Sequence, residues 1–217
     1  MLKIDNICAN GWMNAIRGMR NSHNSWDKMD SKFVETDGKL ELGPNDLFLA
    51  SKLAARGSSH SKFRRMIHVS MDINAPLYWW KEWDTYKVGT TANSTSTMHS
   101  ITKKKFETTD FAMDDFMSPA FGMTMLAVLN TLNALRDKCN DEKSSDREKY
   151  TAWREIIQLL PESYMQLRTV DLNYEVLAKI VFEREHHKLP EWQSFVKEME
   201  KLPYADHLIF LKEVVNE

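Results

Sequence analysis

The sequence predicts an α+β fold: one long, strictly alternating strand and a looser later one stand among five or six helical segments, in an order that does not alternate as doubly wound sheets do. Three observations carry this. Ile67, Val69, Met71 and Ile73 alternate with His68, Ser70, Asp72 and Asn74, the period of a half-buried strand. Residues 121–138 carry Met125, Leu126, Leu129, Leu132 and Leu135 at helical spacing. Residues 88–100, dense in Gly, Thr, Ser and Asn, follow neither period and read as a ligand-holding loop around which the rest is organised.

Taken in order, residues 2–8 suit a first strand, and 12–20 a helix whose Arg17 and Arg20, three apart near its end, are expected in solvent. Residues 21–37 are polar and read as a loop, with a turn at Thr36-Asp37-Gly38-Lys39. Gly43-Pro44-Asn45-Asp46 opens a helix over 47–56, closed by Gly57 as a C-cap. Ser58, Ser59, His60 and Ser61 then link it to the alternating strand, as a second edge of the site. At Ala75-Pro76 the period turns helical, with Pro76 expected in the first turn, where a missing N–H costs nothing. The aromatic helix that follows covers 77–86, and its Trp79, Trp80 and Trp83 suit either the core or a stacking surface for a flat ligand, the core being expected for at least two.

Residues 103–118 are irregular, and Pro119 marks the start of the buried helix at 121–138, whose methionines read as core filler. Ser145 suits the cap of a helix over 147–160 that Pro161 ends, and 164–172 alternate as a second strand. Asn173 opens a helix to about residue 187 with Leu177, Ile180 and Val181 inward; two more, 191–201 and 204–215, are split by Leu202-Pro203.

With 217 residues and 42% apolar content the chain can bury a full core as one domain, 1–217, or as one domain with a helical appendage. Its 29 basic and 31 acidic residues give a net charge of −2, so no global field favours nucleic acid or an anionic membrane. Lys103-Lys104-Lys105 reads as a solvated face. Cys8 and Cys139 lie far apart without CxxC spacing, which argues against a disulfide framework or a zinc knuckle and for a reducing, cytoplasmic setting. No signal peptide and no window of membrane-spanning length are expected.

The signatures of dinucleotide, P-loop, zinc-protease and serine-hydrolase sites are missing. Glu183 and His187 lie one helical turn apart but lack a defined third ligand, so no metal is expected. In the loop, Gly89 is free to take a positive φ, and Thr90 to Thr97 offer hydroxyls, amides and backbone N–H groups that suit a phosphate or simply a polar surface; both readings stand.

In their order these segments resemble the flavin-dependent thymidylate synthases over most of the chain. Ala15 to Ser22 is similar to that family's early arginine–serine segment, and Gly57 to Phe63 followed by a strand and Ala75-Pro76 is similar to its second. Lys81-Glu82-Trp83 falls where the family has Arg-Gln-Trp, and the loop to His99 where it has RHRxxSxxNxxSxRY. Leu160-Pro161, Asn173 and Arg184, with Trp192 beyond, reproduce the spacing of its C-terminal segment. The signature itself departs: Thr85-Tyr86-Lys87 replaces Arg-His-Arg, Met98 and His99 replace Arg-Tyr, and Ile157 replaces an arginine for which Arg154, one turn away, would substitute. A lysine is not an equivalent fork for phosphate.

The resemblance implies an antiparallel sheet flanked by helices, FAD as cofactor, and transfer of a methylene group from methylenetetrahydrofolate to dUMP, with reduction by FAD and NADPH to give dTMP. It implies a homotetramer with sites built by several subunits, and no protein nucleophile. Arg184 would stabilise charge on the uracil carbonyl; Ser61, Tyr86, Lys87, Thr90, Asn93 and Asn173 would face flavin; and Glu82, Ser96, Thr97, Met98, Arg154 and Arg184 would hold the nucleotide. The alternatives the altered signature leaves are a related enzyme acting on another pyrimidine nucleotide, or a repurposed nucleotide- or flavin-binding oligomer without catalysis.

Overall fold

The computed structural model describes residues 2–33, 40–115 and 117–212. In chain order the elements are β1 (Lys3–Asn10), α1 (Trp12–Met19), β2 (Lys32–Phe33), β3 (Leu40–Glu41), α2 (Pro44–Ala55), β4 (His68–Pro76), α3 (Leu77–Trp83) and β5 (Thr90–Ser94). Then follow α4 (Thr97–Ser100), α5 (Pro119–Asn140), α6 (Asp146–Leu159), β6 (Met165–Asn173), α7 (Tyr174–Arg184), α8 (Pro190–Met199) and α9 (Ala205–Leu208). Four strands form an antiparallel sheet in the order β1-β4-β6-β5, while β2 and β3 pair as a separate ribbon. The α+β class and the antiparallel sheet with flanking helices are therefore as expected. The chain divides into two compact units, one built from 74–85 and 93–168 with the start of β1, the other from 4–73, 86–92 and the chain from 169 onward. Among the described residues no helix is long and apolar enough to cross a membrane.

β4 keeps the alternation read from its sequence. Ile67, Val69, Met71 and Ile73 are buried, while His68 is exposed and Ser70, Asp72 and Asn74 are half-buried. Each such apolar side chain taken out of water contributes about 1.5–3 kcal/mol, which fixes the face the strand presents. Its polar face is knitted to neighbouring strands: Asn6 Nδ2 donates to Asp72 Oδ2 at 2.7 Å, and His68 Nδ1 lies 3.0 Å from Asp171 Oδ1.

In the second unit α1 buries Trp12, Ala15, Ile16 and Met19, and the Trp12 ring meets Tyr174 edge-on at 5.2 Å. Gly11 turns β1 into α1 with φ +84, and a Cβ there would stand 2.0 Å from the Met66 carbonyl oxygen, so only glycine fits. Arg20 is not in solvent as expected. It is buried, its Nε donates to Asp46 Oδ1 at 2.6 Å, and Asp46 also accepts from the Ser31 hydroxyl and from the backbone N–H of Asp30 and Ser31. Spacing along α1 does not reveal this, because the partner lies in the first turn of α2.

In the first unit Ile101, Phe106, Phe111, Leu132 and Ile156 form a core on which α5 and α6 pack. The buried helix predicted at 121–138 is only half realised: α5 buries Leu132 fully, Met125, Leu129 and Leu135 partly, and leaves Met123 and Leu126 exposed. Ser145 caps α6 as predicted, its hydroxyl accepting from Glu148 N while Glu148 Oε2 accepts from Ser145 N at 2.9 Å.

Other boundaries move. Pro76 ends β4 in extended geometry as the N-cap of α3 and does not enter its first turn, and α3 stops at Trp83. All three tryptophans of α3 are buried, packed edge-on and stacked at centroid distances of 4.9 to 5.9 Å, so none of them offers a face to a ligand. Arg168 lies 4.3 Å over the Trp80 ring and pairs with Asp84 at 2.8 Å, closing that cluster. The helix expected at 204–215 is the short α9; its residues from 213 on, like the turn at 36–39, lie outside the described residues.

Candidate functional site

The stretch 88–100, read as lacking any period, holds two short elements, β5 and α4. Its polar composition hides them because β5 has no buried apolar face: Thr90 is half-buried and the next four residues are exposed. Thr95 N donates to the Leu167 carbonyl at 2.9 Å and Gln166 Nε2 to the Thr95 carbonyl at 2.9 Å, tying the end of β5 to β6. Gly89 does take a positive φ, +76, and packs closely: a Cβ there would stand 2.9 Å from Val176 Cγ2 and 3.4 Å from Asn173 Nδ2.

Around Gly89 the second unit gathers four of the predicted residues. Asn173 is the N-cap of α7, its Oδ1 accepting from Val176 N at 3.1 Å, which leaves its Nδ2 facing Gly89. The Thr90 hydroxyl donates to the Tyr86 carbonyl. Arg184 Nε donates to Tyr86 Oη at 2.8 Å, and the Tyr86 hydroxyl donates to Glu183 Oε2 at 2.9 Å. The Arg184 guanidinium lies 4.8 Å over the Trp192 ring and 5.5 Å from the Tyr86 ring centre. Cation–π contacts of this kind contribute roughly 0.5–2 kcal/mol each, the upper end where water is excluded. Burial and the bond to Glu183 push the Tyr86 phenol above its ordinary value against the opposing pull of Arg184, so it stays protonated at neutral pH.

Ser61 lies elsewhere in this unit, fully buried, its hydroxyl donating to Glu175 Oε2 at 2.8 Å. Glu175 also pairs with Arg64 at 2.5 Å, and Arg64 Nη1 donates to the Leu208 carbonyl at 2.7 Å. Ser61 is thus part of a buried polar brace between the 61–66 turn and α7. Lys87 is exposed.

In the first unit Ser96 and Thr97 line a pocket of ≈ 450 Å³ together with Asn74, Lys103, Lys104 and Tyr164. Ser96 caps α4, its Oγ accepting from His99 N at 3.1 Å, and the Trp153 indole donates to the Met98 carbonyl at 3.2 Å, holding α4 on α6. Lys104 pairs with Asp110, which also accepts from Glu107 N at 2.9 Å; the bond to Asp110 raises the Lys104 pKa. Burial, helped by the Asp110 charge, raises that of the Tyr164 phenol. Glu82 is half-buried on α3, Asn93 is exposed on β5, and the Met98 side chain is exposed; none of these, nor the exposed Arg154 on α6, lines this pocket.

Lys103 and Lys104 are exposed, as the solvated-face reading expects, and both also line this pocket, as does Tyr164 just before β6. Among the described residues no group of three or more His, Cys, Asp or Glu could hold a metal ion, and Glu183 is engaged by Tyr86.

This fold is similar to that of solved flavin-dependent thymidylate synthases. It matches the crystal structure of the flavin-dependent thymidylate synthase ThyX from Helicobacter pylori complexed with FAD and dUMP, with a TM-score of 0.69, 16% sequence identity, and coverage of 95% of this chain and 97% of that one. A second crystal structure, of Thymidylate Synthase X from Helicobacter pylori with FAD and dUMP, matches with a TM-score of 0.67 at 16% identity over 96% and 97% of the two chains. No family model matches the sequence, and no curated protein does.

Proposed function

We propose that this chain is a flavin-dependent thymidylate synthase-like enzyme that moves a methylene group from methylenetetrahydrofolate to dUMP and, with FAD and NADPH, reduces it to give dTMP. The observation that carries the reading is a fold match along nearly the whole length of both chains to a synthase holding FAD and dUMP. On this reading residues 1–217 form one domain of this kind, acting in the cytoplasm as a homotetramer whose sites are completed by several subunits.

The donor set around Gly89 fits a flavin: the Asn173 amide nitrogen suits a ring carbonyl, the exposed Lys87 ammonium a pyrophosphate, and Tyr86 and Thr90 the rim. When bound, FAD supplies the hydride. The protein's own part is electrostatic. Arg184, held by a hydrogen bond to Tyr86 and stacked on Trp192, stabilises negative charge on the uracil carbonyl. Backbone N–H groups around Ser96 and Thr97 hold the phosphate, and Glu82, Met98 and Arg154 form the edge of the nucleotide site in the assembled tetramer.

The altered signature supports a second reading, in which the nucleotide is a different pyrimidine or catalysis has been lost. What favours it is that a phenol, where the family has an imidazole, binds the Nε of Arg184. The experiment is the absorbance spectrum of the purified protein before and after adding FAD, with a dUMP titration of any flavin signal, its mass in solution, and then dTMP formation from dUMP, methylenetetrahydrofolate and NADPH. Bound FAD, a dUMP-dependent shift and dTMP together support the synthase. Bound FAD with no response to dUMP moves the reading to another nucleotide, and no FAD binding removes the enzyme.

A further inference from the structure

The pocket at Ser96 and Thr97 differs from an arginine-built phosphate site in what supplies its charge. Its lining holds no arginine and two lysines, Lys103 and Lys104, with one carboxylate, Asp110. Lys104 is paired with Asp110, so these two charges compensate each other. Asp110 is held further by Glu107 N at 2.9 Å, which keeps its oxygens on that side. Lys103 has no ion-pair partner among the described residues. Its backbone N–H donates to the Ser100 carbonyl at 3.0 Å, which fixes the root of the side chain just after α4. The pocket therefore carries one uncompensated positive charge beside the hydroxyl side chains of Thr95, Ser96, Thr97 and Ser100.

We infer that Lys103 is the cation that binds the phosphate of a nucleoside monophosphate in this pocket, in place of the arginines that the 85–98 segment lacks. This rests on reading the pocket as a nucleotide site. A lysine ammonium binds phosphate as a compact point charge that needs no forked geometry, which suits a mobile stem at a pocket lined by Ser96, Thr97 and Ser100. One net positive charge suits the terminal phosphate of a monophosphate better than a di- or triphosphate, whose added charge would meet Asp110.

The test is isothermal titration of the full chain with dUMP, deoxyuridine, dAMP and inorganic phosphate, repeated for Lys103→Ala, Lys103→Arg and, as a control outside the pocket, Lys105→Ala. Lys103→Ala is expected to weaken dUMP about ten-fold or more, to reduce the salt dependence of binding, and to leave deoxyuridine unchanged; Lys103→Arg restores most of the affinity. If the native chain binds dUMP and Lys103→Ala binds it equally well, the role of Lys103 is overturned while the synthase reading stands. If dAMP or inorganic phosphate binds through Lys103 but dUMP has no advantage over them, Lys103 keeps its role and the synthase reading falls. If no phosphate compound binds, both fall.

Discussion

Arg184 donates its Nε–H to the Tyr86 hydroxyl at 2.8 Å while that hydroxyl donates to Glu183 Oε2 at 2.9 Å, so one phenol fixes the guanidinium and is itself fixed by a carboxylate. Trp192 closes the other side, 4.8 Å beneath the guanidinium. A cation held this way is preorganised, and in the proposed synthase it would meet charge on the base without the cost of reorganising.

Tyr86→Phe keeps the ring and removes both hydrogen bonds. A charge-assisted bond contributes about 1.5–3 kcal/mol when buried, less at this half-buried position, so dUMP affinity is expected to fall about ten-fold. Thermal stability should barely move. Titration of the flavin absorbance with dUMP reads the affinity, and an unchanged value would mean the phenol does not position Arg184. Arg184→Lys should not rescue Arg184→Ala, because an ammonium cannot both stack flat on Trp192 and donate to Tyr86.

Gly89→Ala should disturb Asn173 before it disturbs the fold. The φ of +76 and the 2.9 Å approach to Val176 Cγ2 both oppose a Cβ, with a strain of roughly 1–2 kcal/mol from the backbone alone. FAD affinity is expected to fall, and the Gly89→Ala, Val176→Ala double variant to recover part of it, since shortening Val176 relieves the contact and leaves the backbone strain. Equal losses in the single and double variants would mean that the Val176 contact is not what couples Gly89 to the site.

How much of this was legible in the chain depends on where each partner lies. The β4 alternation and the Ser145 cap could be read because period and capping are set by neighbours within a few residues. The Arg20–Asp46 pair could not, since a partner 26 positions away turns an apparently solvated arginine into a buried one. β5 was hidden for a different reason: an edge strand held by β6 through backbone bonds needs no apolar face of its own. Ser61 matched a family position, yet its hydroxyl belongs to Glu175. The lysines at 103 and 104 are solvated, as charge runs usually are, and what distinguishes one from the other is the pairing of Lys104 with Asp110, ahead in the chain and invisible to spacing.

Asp46 links stability to pH. Burial pushes its carboxyl up, but hydrogen bonds from the Ser31 hydroxyl, Arg20 and the backbone N–H of Asp30 and Ser31 outweigh it and hold the pKa below the ordinary 3.8. A group depressed in the folded state binds fewer protons folded than unfolded, so its contribution is fully present above 3.8 and is lost as pH falls through the lower folded value. Asp46→Asn leaves Arg20 buried without its counter-charge and turns an amide donor toward backbone donors. The expected loss is about 3–5 kcal/mol, a fall in Tm on the order of 10 °C for a chain this long. Melting curves from pH 6 down to pH 2.5 should show the native chain losing stability through the acid range and the Asn variant losing less. Parallel curves for the two proteins would mean that other carboxylates, and not Asp46, set the acid limit.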